Sequence, residues 1–199
     1  MTEKLDLFTA EGQRKYLTPE ERQAFIEAAR EHPSREARTF CLTLAYTGCR
    51  ISEALALDFK RVDLKAGQLI FRTLKKRDGR VHHRAVPVPP DHLDGLDLVH
   101  GIRAVKKRGR KTGDLLWPWA RNTGWRRVGE VLRAAGIDGA HASPKGLRHG
   151  FGVHALMKEI PLPLLQRWMG HADLETTAIY LQVVGNEEAS FAGRLWEDA

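Results

Sequence analysis

The middle of the chain is patterned as strands, whereas the sequence on either side of it is patterned as helices. Three short stretches, Val62–Leu64, Leu69–Arg72 and His82–Val88, are separated by the turn sequences Lys65-Ala66-Gly67 and Lys76-Arg77-Asp78-Gly79. Apolar and β-branched residues bounded by glycine-containing turns predict consecutive antiparallel strands. We therefore expect a mainly α protein with a small three-stranded antiparallel β-sheet, an α+β fold.

Helix signals surround this sheet. Thr18-Pro19-Glu20-Glu21 combines a capping hydroxyl, a proline at the first helical position and acids in the first turn, which predicts a helix to about Arg30. Ser34 can cap a second helix that ends near Gly48, and a third covers Ile51 to Leu57. Further helices are predicted over 91–107, 123–135, 145–159, 162–169 and 174–184.

Composition excludes several classes of protein. The chain has 199 residues, of which 42% are hydrophobic and 29% charged, enough for one domain with a core. It contains no apolar run near the ~20 residues of a membrane helix and no apolar segment typical of a secretory signal. Cys41 and Cys49 are too few for a disulfide framework or a four-cysteine zinc site. We expect a cytoplasmic protein that needs neither a membrane nor a metal.

The positive charge is concentrated in one block. Residues 71–133 contain 16 basic and 6 acidic side chains, whereas the segments before and after have a net charge of zero or below. A concentrated positive field suits a polyanion such as nucleic acid, although a solvated basic surface gives the same count. The basic residues that we expect to contact DNA are Lys76, Arg77, Arg80, Lys106, Lys107, Arg108, Arg110, Lys111, Arg126 and Arg127.

Cations stand at two predicted helix starts, where the helix dipole disfavours them. Arg50 opens a helix directly after Gly48, with Glu53 three residues on and within reach of its side chain. Lys145 and Arg148 share one face at the start of a helix that begins at Ser143-Pro144. A cation is tolerated there when an anion binds, and an arginine fork suits a phosphate. A surface Arg–Glu pair is the simpler alternative for Arg50.

Two further blocks carry candidate chemistry. A hairpin turn holds Lys75 and Lys76, which could touch a phosphate or deliver a proton. A helix that stops at Gly170 is followed by His171, and Tyr180 comes nine residues later. Tyrosine in that helix also fits a core position with one hydrogen bond.

Together these blocks resemble the tyrosine site-specific recombinases, or phage-type integrases. The segments TGCRISEAL, TLKK, KGLRH and MGHADLETTAIY occur in the order of that family and cover roughly residues 16–184. The resemblance implies a catalytic set of Arg50, Lys75, Lys145, Arg148, His171 and Tyr180, supported by Glu53 and His149. It also implies no cofactor, double-stranded DNA as partner, and self-association on DNA, as a tetrameric synapse.

Two features depart from the family pattern. Lys145 occupies the position that usually holds histidine, and a lysine keeps the positive charge but is not a neutral base near pH 7. Only about 17 residues precede the first helix, whereas family members usually carry an N-terminal helical domain; in this the chain resembles the short fimbrial-switch invertases. We divide it into an arm (1–17), a catalytic domain (18–185) and a tail (186–199). In many family members the corresponding tail docks on a neighbouring protomer, and the alternative is that it folds back on its own core.

The resemblance implies a DNA recombinase that works through a 3′-phosphotyrosine link, and two alternatives remain. A type IB topoisomerase shares this active-site logic but relaxes DNA without site specificity. A non-catalytic DNA-binding protein could keep the fold, although binding alone has no need of Tyr180. His82 and His83 are adjacent on a predicted strand, so their rings point to opposite faces and do not form a metal site.

Overall fold

The structure is a computed structural model that describes residues 6–73, 82–107 and 114–182, without the side chains of Thr73, Lys106 and Lys107. It confirms a mainly helical fold with one small antiparallel sheet. The helices are α1 (Pro19–Glu31), α2 (Arg35–Thr47), α3 (Ile51–Leu55), α4 (Pro90–His100), α5 (Ile102–Lys107), α6 (Arg121–Ala134), α7 (Pro144–Met157), α8 (Leu162–Met169) and α9 (Glu175–Ala178).

The sheet has the order β1-β2-β3, with β1 at Val62–Asp63, β2 at Gln68–Thr73 and β3 at His82–Pro87. Leu69 pairs with Val86, and Phe71 pairs with Arg84. Because side chains alternate across a strand, Leu69, Phe71 and Val86 are buried against the helices. Arg84 lies on the same buried face, which the strand pattern did not single out. A short 3₁₀ helix, Phe59–Arg61, precedes the sheet and was not expected either.

Helix starts agree with their capping signals. The Thr18 hydroxyl accepts from the Glu21 amide, and the Ser34 and Ser143 side chains cap α2 and α7 in the same way. The predicted helix over 91–107 is instead two helices. It breaks at Gly101, and the Asp97 carboxylate accepts from the Arg103 amide at 2.7 Å to start the second.

The core lies between α1, α2, α6, α7 and the sheet, and a second apolar cluster lies around α7 and α8. Leu7 and Leu17 are fully buried, so the segment before α1 packs against the rest of the domain. Leu7 belongs to the same cluster as Tyr180. In the described residues, every helix is too short or too polar to cross a bilayer.

Candidate active site

A cavity of about 330 Å³ opens where several helices begin. Its lining is rich in cations and imidazoles and includes one indole. The lining residues are Arg50, Ile51, Ser52, Arg121, Trp125, Pro144, Lys145, Arg148, His149 and His171. Four cations on one cavity favour an anionic ligand.

Three helix starts contribute to this cavity. Arg50 is the N-cap residue of α3, Arg121 is the first residue of α6, and Lys145 lies in the first turn of α7. Helix N-termini carry partial positive charge, so cations there favour a bound anion such as a phosphate. Sequence reasoning missed Arg121 because the helix was predicted to begin at 123. The cation-at-helix-start signal identifies it once the helix begins two residues earlier.

Arg148 is buried but well partnered. Its guanidinium donates to the Gly48 carbonyl and to the Met169 carbonyl, the latter at 2.7 Å. Both carbonyls lie at helix C-termini, of α2 and α8, where the dipole favours a cation. Burial, with Arg50 nearby, lowers the pKa of Arg148 to about 10, so it stays protonated at neutral pH. The charge is thus fixed in position before any ligand arrives.

Arg50 is more accessible than Arg148, with 48% of its side chain exposed. Its Nη1 lies 3.2 Å from Glu53 Oε1, and its backbone amide donates to Glu53 Oε2 at 2.8 Å. The contact is the one that the three-residue spacing predicts. Because Glu53 is fully buried, it restrains Arg50 while leaving the guanidinium open to the cavity.

His171 follows the left-handed turn at Gly170 and is held by Thr177, whose hydroxyl lies 2.9 Å from Nδ1. Burial, with Arg148 and Arg50 nearby, lowers the pKa of His171 to about 3. The imidazole is therefore neutral near pH 7. When Nδ1 accepts from Thr177, the ring proton is on Nε2, which then acts as a donor.

Tyr180 is fully buried beside the cavity. Its hydroxyl lies 3.1 Å from His149 Nδ1, and its ring is stacked with His171 at 6.4 Å between centroids. The ring rests on Gly152, where an added Cβ would come within 2.6 Å of it. Burial raises the pKa of Tyr180 to about 12, against the opposing effect of Arg148 and Arg50.

This position of Tyr180 has a chemical consequence. The residue is fully buried and does not itself line the cavity, so in this arrangement its hydroxyl lies against the lining residue His149 and is not exposed at the cavity surface. Burial, with Lys145 and Arg148 nearby, lowers the pKa of His149 to about 4, so the His149 imidazole is neutral near pH 7. Among the described residues, its buried Nε2 has no hydrogen-bond partner.

Residues 15–187 match the phage integrase family. The chain belongs to this family. A tyrosine recombinase XerD from Vibrio vulnificus is 30% identical over 177 residues, which are 85% of this chain and 56% of that protein. The chain spans about half the length of the curated relatives it matches.

Two solved structures are similar in fold to this integrase-family chain. XerH site-specific recombinase, bound to palindromic difH substrate in a post-cleavage complex, matches with a TM-score of 0.71 and 25% identity, over 88% of this chain and 52% of that one. The catalytic domain of bacteriophage HP1 integrase matches with a TM-score of 0.62 and 19% identity, over 92% of this chain and 98% of that one. The second likeness concerns the fold alone.

The structure of this integrase-family chain brings five of the six predicted catalytic residues together. Arg50, Lys145, Arg148 and His171 line the cavity, and Tyr180 lies beside it. The sixth, Lys75, lies outside the described residues, as do Lys76, Arg77, Arg80, Arg108, Arg110 and Lys111.

Two of the predicted DNA contacts are paired within the protein. Arg127 donates to Glu130 at 2.9 Å, and Arg126 lies 3.8 Å from the same carboxylate. Lys106 and Lys107 lie on α5, and their side chains are outside the described set. Nowhere in 6–73, 82–107 and 114–182 do three metal-binding side chains gather.

Buried histidines make stability pH-dependent. Burial lowers the pKa of His92 and His149 to about 4 and that of His171 to about 3, against about 6.5 in an unfolded chain. Above about pH 6.5 these histidines are neutral in both states, and the free energy of unfolding has its full value. Below that pH the free energy of unfolding falls, because the unfolded chain then binds more protons than the folded one. We expect the urea midpoint to fall from pH 7 to pH 5.

His92 provides the control for this prediction, because it is buried away from the cavity and bonded to Thr43. His92→Gln should reduce the pH slope by about one proton, or about 1.4 kcal/mol per pH unit. A midpoint that does not change between pH 7 and pH 5 would contradict the assignment of neutral buried histidines.

Proposed function

We propose that this chain is the catalytic part of a site-specific DNA recombinase that cuts and rejoins DNA through a 3′-phosphotyrosine link. One observation carries the proposal. Arg50, Arg148 and the neutral His171 line a single cavity, and a tyrosine hydroxyl lies beside it. That arrangement supplies donors to a phosphodiester together with a nucleophile.

The reaction follows from these groups. The Tyr180 hydroxyl gives up its proton as its oxygen attacks the phosphorus. The bond from phosphorus to the 5′ oxygen breaks and that oxygen takes up a proton, so that a 3′-phosphotyrosyl link with a free 5′-hydroxyl results. Arg50, Arg148 and His171 stabilise the charge that develops on the non-bridging oxygens. Lys145 adds a further positive charge at the cavity. In strand exchange, the 5′-hydroxyl of another strand attacks the phosphotyrosyl link in the reverse of this step. The link conserves the energy of the broken phosphodiester bond, so rejoining needs no ATP.

The test is capture of the covalent adduct. The chain is incubated with nicked duplexes of randomised sequence, in which cleavage releases a short fragment and traps the protein. We expect a denaturant-resistant adduct in the 3′ orientation and recovery of a preferred sequence. Adducts without any sequence preference would instead indicate a topoisomerase, and binding without adducts would indicate a non-catalytic protein.

Lys75 is proposed to protonate the leaving 5′ oxygen. Lys75→Ala should then slow cleavage of ordinary DNA, but a substrate with sulfur in place of the bridging oxygen should restore the rate at least in part. Sulfur leaves as the thiolate and needs no proton. Lys76→Ala is the matched control. Absence of rescue for Lys75→Ala, with rescue for Lys76→Ala, would assign the proton donor to Lys76.

We propose double-stranded DNA and further copies of this chain as its partners. We also propose that the protein acts in the cytoplasm. Recombination joins two duplexes at four active sites, so the reaction calls for a tetrameric synapse. We propose that the tail, 186–199, supplies contacts between protomers because it carries Phe191, Leu195 and Trp196 at helical spacing.

Deletion of 186–199 tests the role of the tail. We expect single-site binding and single-strand cleavage to be retained, and synapsis and strand exchange to be lost, as measured by gel shift and by recombination of two labelled duplexes. The variant Trp196→Ala should act in the same direction with a smaller effect. Full recombination by the truncated chain, or its outright unfolding, would show that the tail is not an assembly element.

A further inference from the structure

Arg84 is a buried arginine at the back of the active site. It lies on the inward face of β3 with only 4% of its side chain exposed. Its guanidinium donates to Glu53 Oε2 at 2.7 Å and to Glu53 Oε1 at 3.1 Å, and it lies over the Phe71 ring, 5.2 Å from the centroid. This fork holds the carboxylate in one plane, a geometry that lysine does not reproduce.

The same carboxylate restrains Arg50. Glu53 accepts from the Arg50 backbone amide and from its guanidinium while it is paired with Arg84. Burial acts to raise the pKa of Glu53, but the hydrogen bonds and charge of Arg84 outweigh it, so the pKa lies below its ordinary value. Glu53 is therefore an anion whose orientation depends on Arg84, and it orients a cation of the cavity in turn.

Arg84 also reaches the other side of the site. Its Nε donates to the Trp168 carbonyl at 2.7 Å, next to the Met169 carbonyl that accepts from Arg148. The chain then turns at Gly170, with φ of +66°, into His171. An added Cβ at Gly170 would lie 2.9 Å from the Arg84 guanidinium carbon, so the turn and Arg84 are closely fitted.

We propose that Arg84 is a positioning residue for phosphate activation. It fixes the orientation of Arg50 through Glu53, and it fixes the position of His171 through the C-terminal end of α8. Arg84 itself does not line the cavity. The inference rests on the proposed DNA-cleaving function and adds a residue to it. Preorganised donors are effective because they need no rearrangement as charge develops, so loss of Arg84 should weaken stabilisation of the transition state more than DNA binding.

The charge of the phosphate distinguishes positioning from mere structural support. Replacing one non-bridging oxygen by methyl gives a neutral methylphosphonate, on which the arginine and histidine donors have less charge to stabilise. A misplaced Arg50 therefore matters less on that substrate. A protein that is only less stable would lose the same factor on both substrates.

The experiment compares single-turnover cleavage of nicked duplexes, recovered by the adduct selection above, with a phosphodiester or a methylphosphonate at the scissile position. Arg84→Met should slow the phosphodiester reaction by about 10²-fold and the methylphosphonate reaction at least tenfold less, with DNA affinity little changed. Because Arg84→Met removes the bidentate partner of the buried Glu53 carboxylate and can prevent folding, Arg84→Lys is measured as well. It keeps the charge but loses the fork, and should slow the phosphodiester selectively by about tenfold.

Arg22→Met is the matched control, since Arg22 is a largely buried arginine that donates to the Ala45 carbonyl away from the cavity. It should lower the melting temperature and leave the ratio of the two cleavage rates at the wild-type value. Equal slowing of both substrates by Arg84→Lys, or wild-type rates for it, would overturn the positioning role alone. A wild-type chain that forms no adduct with any duplex would overturn the proposed function and this inference with it.

Discussion

Tyr180→Phe should abolish covalent attachment to DNA while leaving DNA binding and the fold largely intact. The substitution removes one buried hydroxyl, whose described partner is His149, and keeps the ring on Gly152. The phosphate contacts come from other side chains, namely Arg50, Arg148 and His171. The measurement is adduct formation on a nicked duplex after denaturation, beside a gel shift and a thermal melt.

The control for this variant is Tyr46→Phe. This substitution also removes one tyrosine hydroxyl with one hydrogen bond, which Arg30 donates at the surface, and Tyr46 is not among the residues that line the cavity. It should form adducts at the wild-type rate. A denaturant-resistant adduct from Tyr180→Phe would mean that another residue is the nucleophile.

Arg50→Ala and Arg148→Ala should each slow cleavage by about 10²–10³-fold, the usual loss for one preorganised donor to a developing oxyanion. The two variants should differ in stability. Arg50 is half exposed, so its removal should leave the melting temperature nearly unchanged. Arg148 joins the Gly48 and Met169 carbonyls, so its removal leaves two helix ends without a buried donor and should lower the melting temperature by several degrees.

Single-turnover cleavage at saturating protein, beside a thermal melt, checks both effects. Arg133→Ala is the control, since Arg133 is an exposed arginine in the last turn of α6, away from the cavity lining. It should change neither quantity. Cleavage by Arg50→Ala within tenfold of the wild type would exclude Arg50 from the phosphate site.

Most of the fold could be predicted from local sequence patterns. The glycine-containing turns and apolar strands predicted the sheet, and the caps at Thr18, Ser34 and Ser143 predicted three helix starts, because capping bonds involve residues at most three apart. The break at Gly101 was missed because Asp97 caps the next helix across the glycine, a contact over six residues within a continuous helical pattern.

Parts of the site were also local. The misplaced cations at Arg50 and Lys145 gave the strongest physical signal, since the dipole rule that they violate acts within one turn. The order of the four motifs along the chain then indicated the protein family. Arg84 gave no such signal, because an arginine in a basic strand segment looks like a surface residue until the strand's partner face is known.

The sequence by itself therefore determined most of the elements, the family and most of the chemical groups at the cavity, because each depends on neighbouring residues or on ordered motifs. Only the tertiary structure decided how those groups are arranged. Arg84 meets Trp168 across 84 positions and Arg148 meets Gly48 across 100, and Tyr180 turns its hydroxyl to His149 in the interior. Contacts of that length depend on how helices pack, and periodicity along the chain contains no record of which helix ends converge.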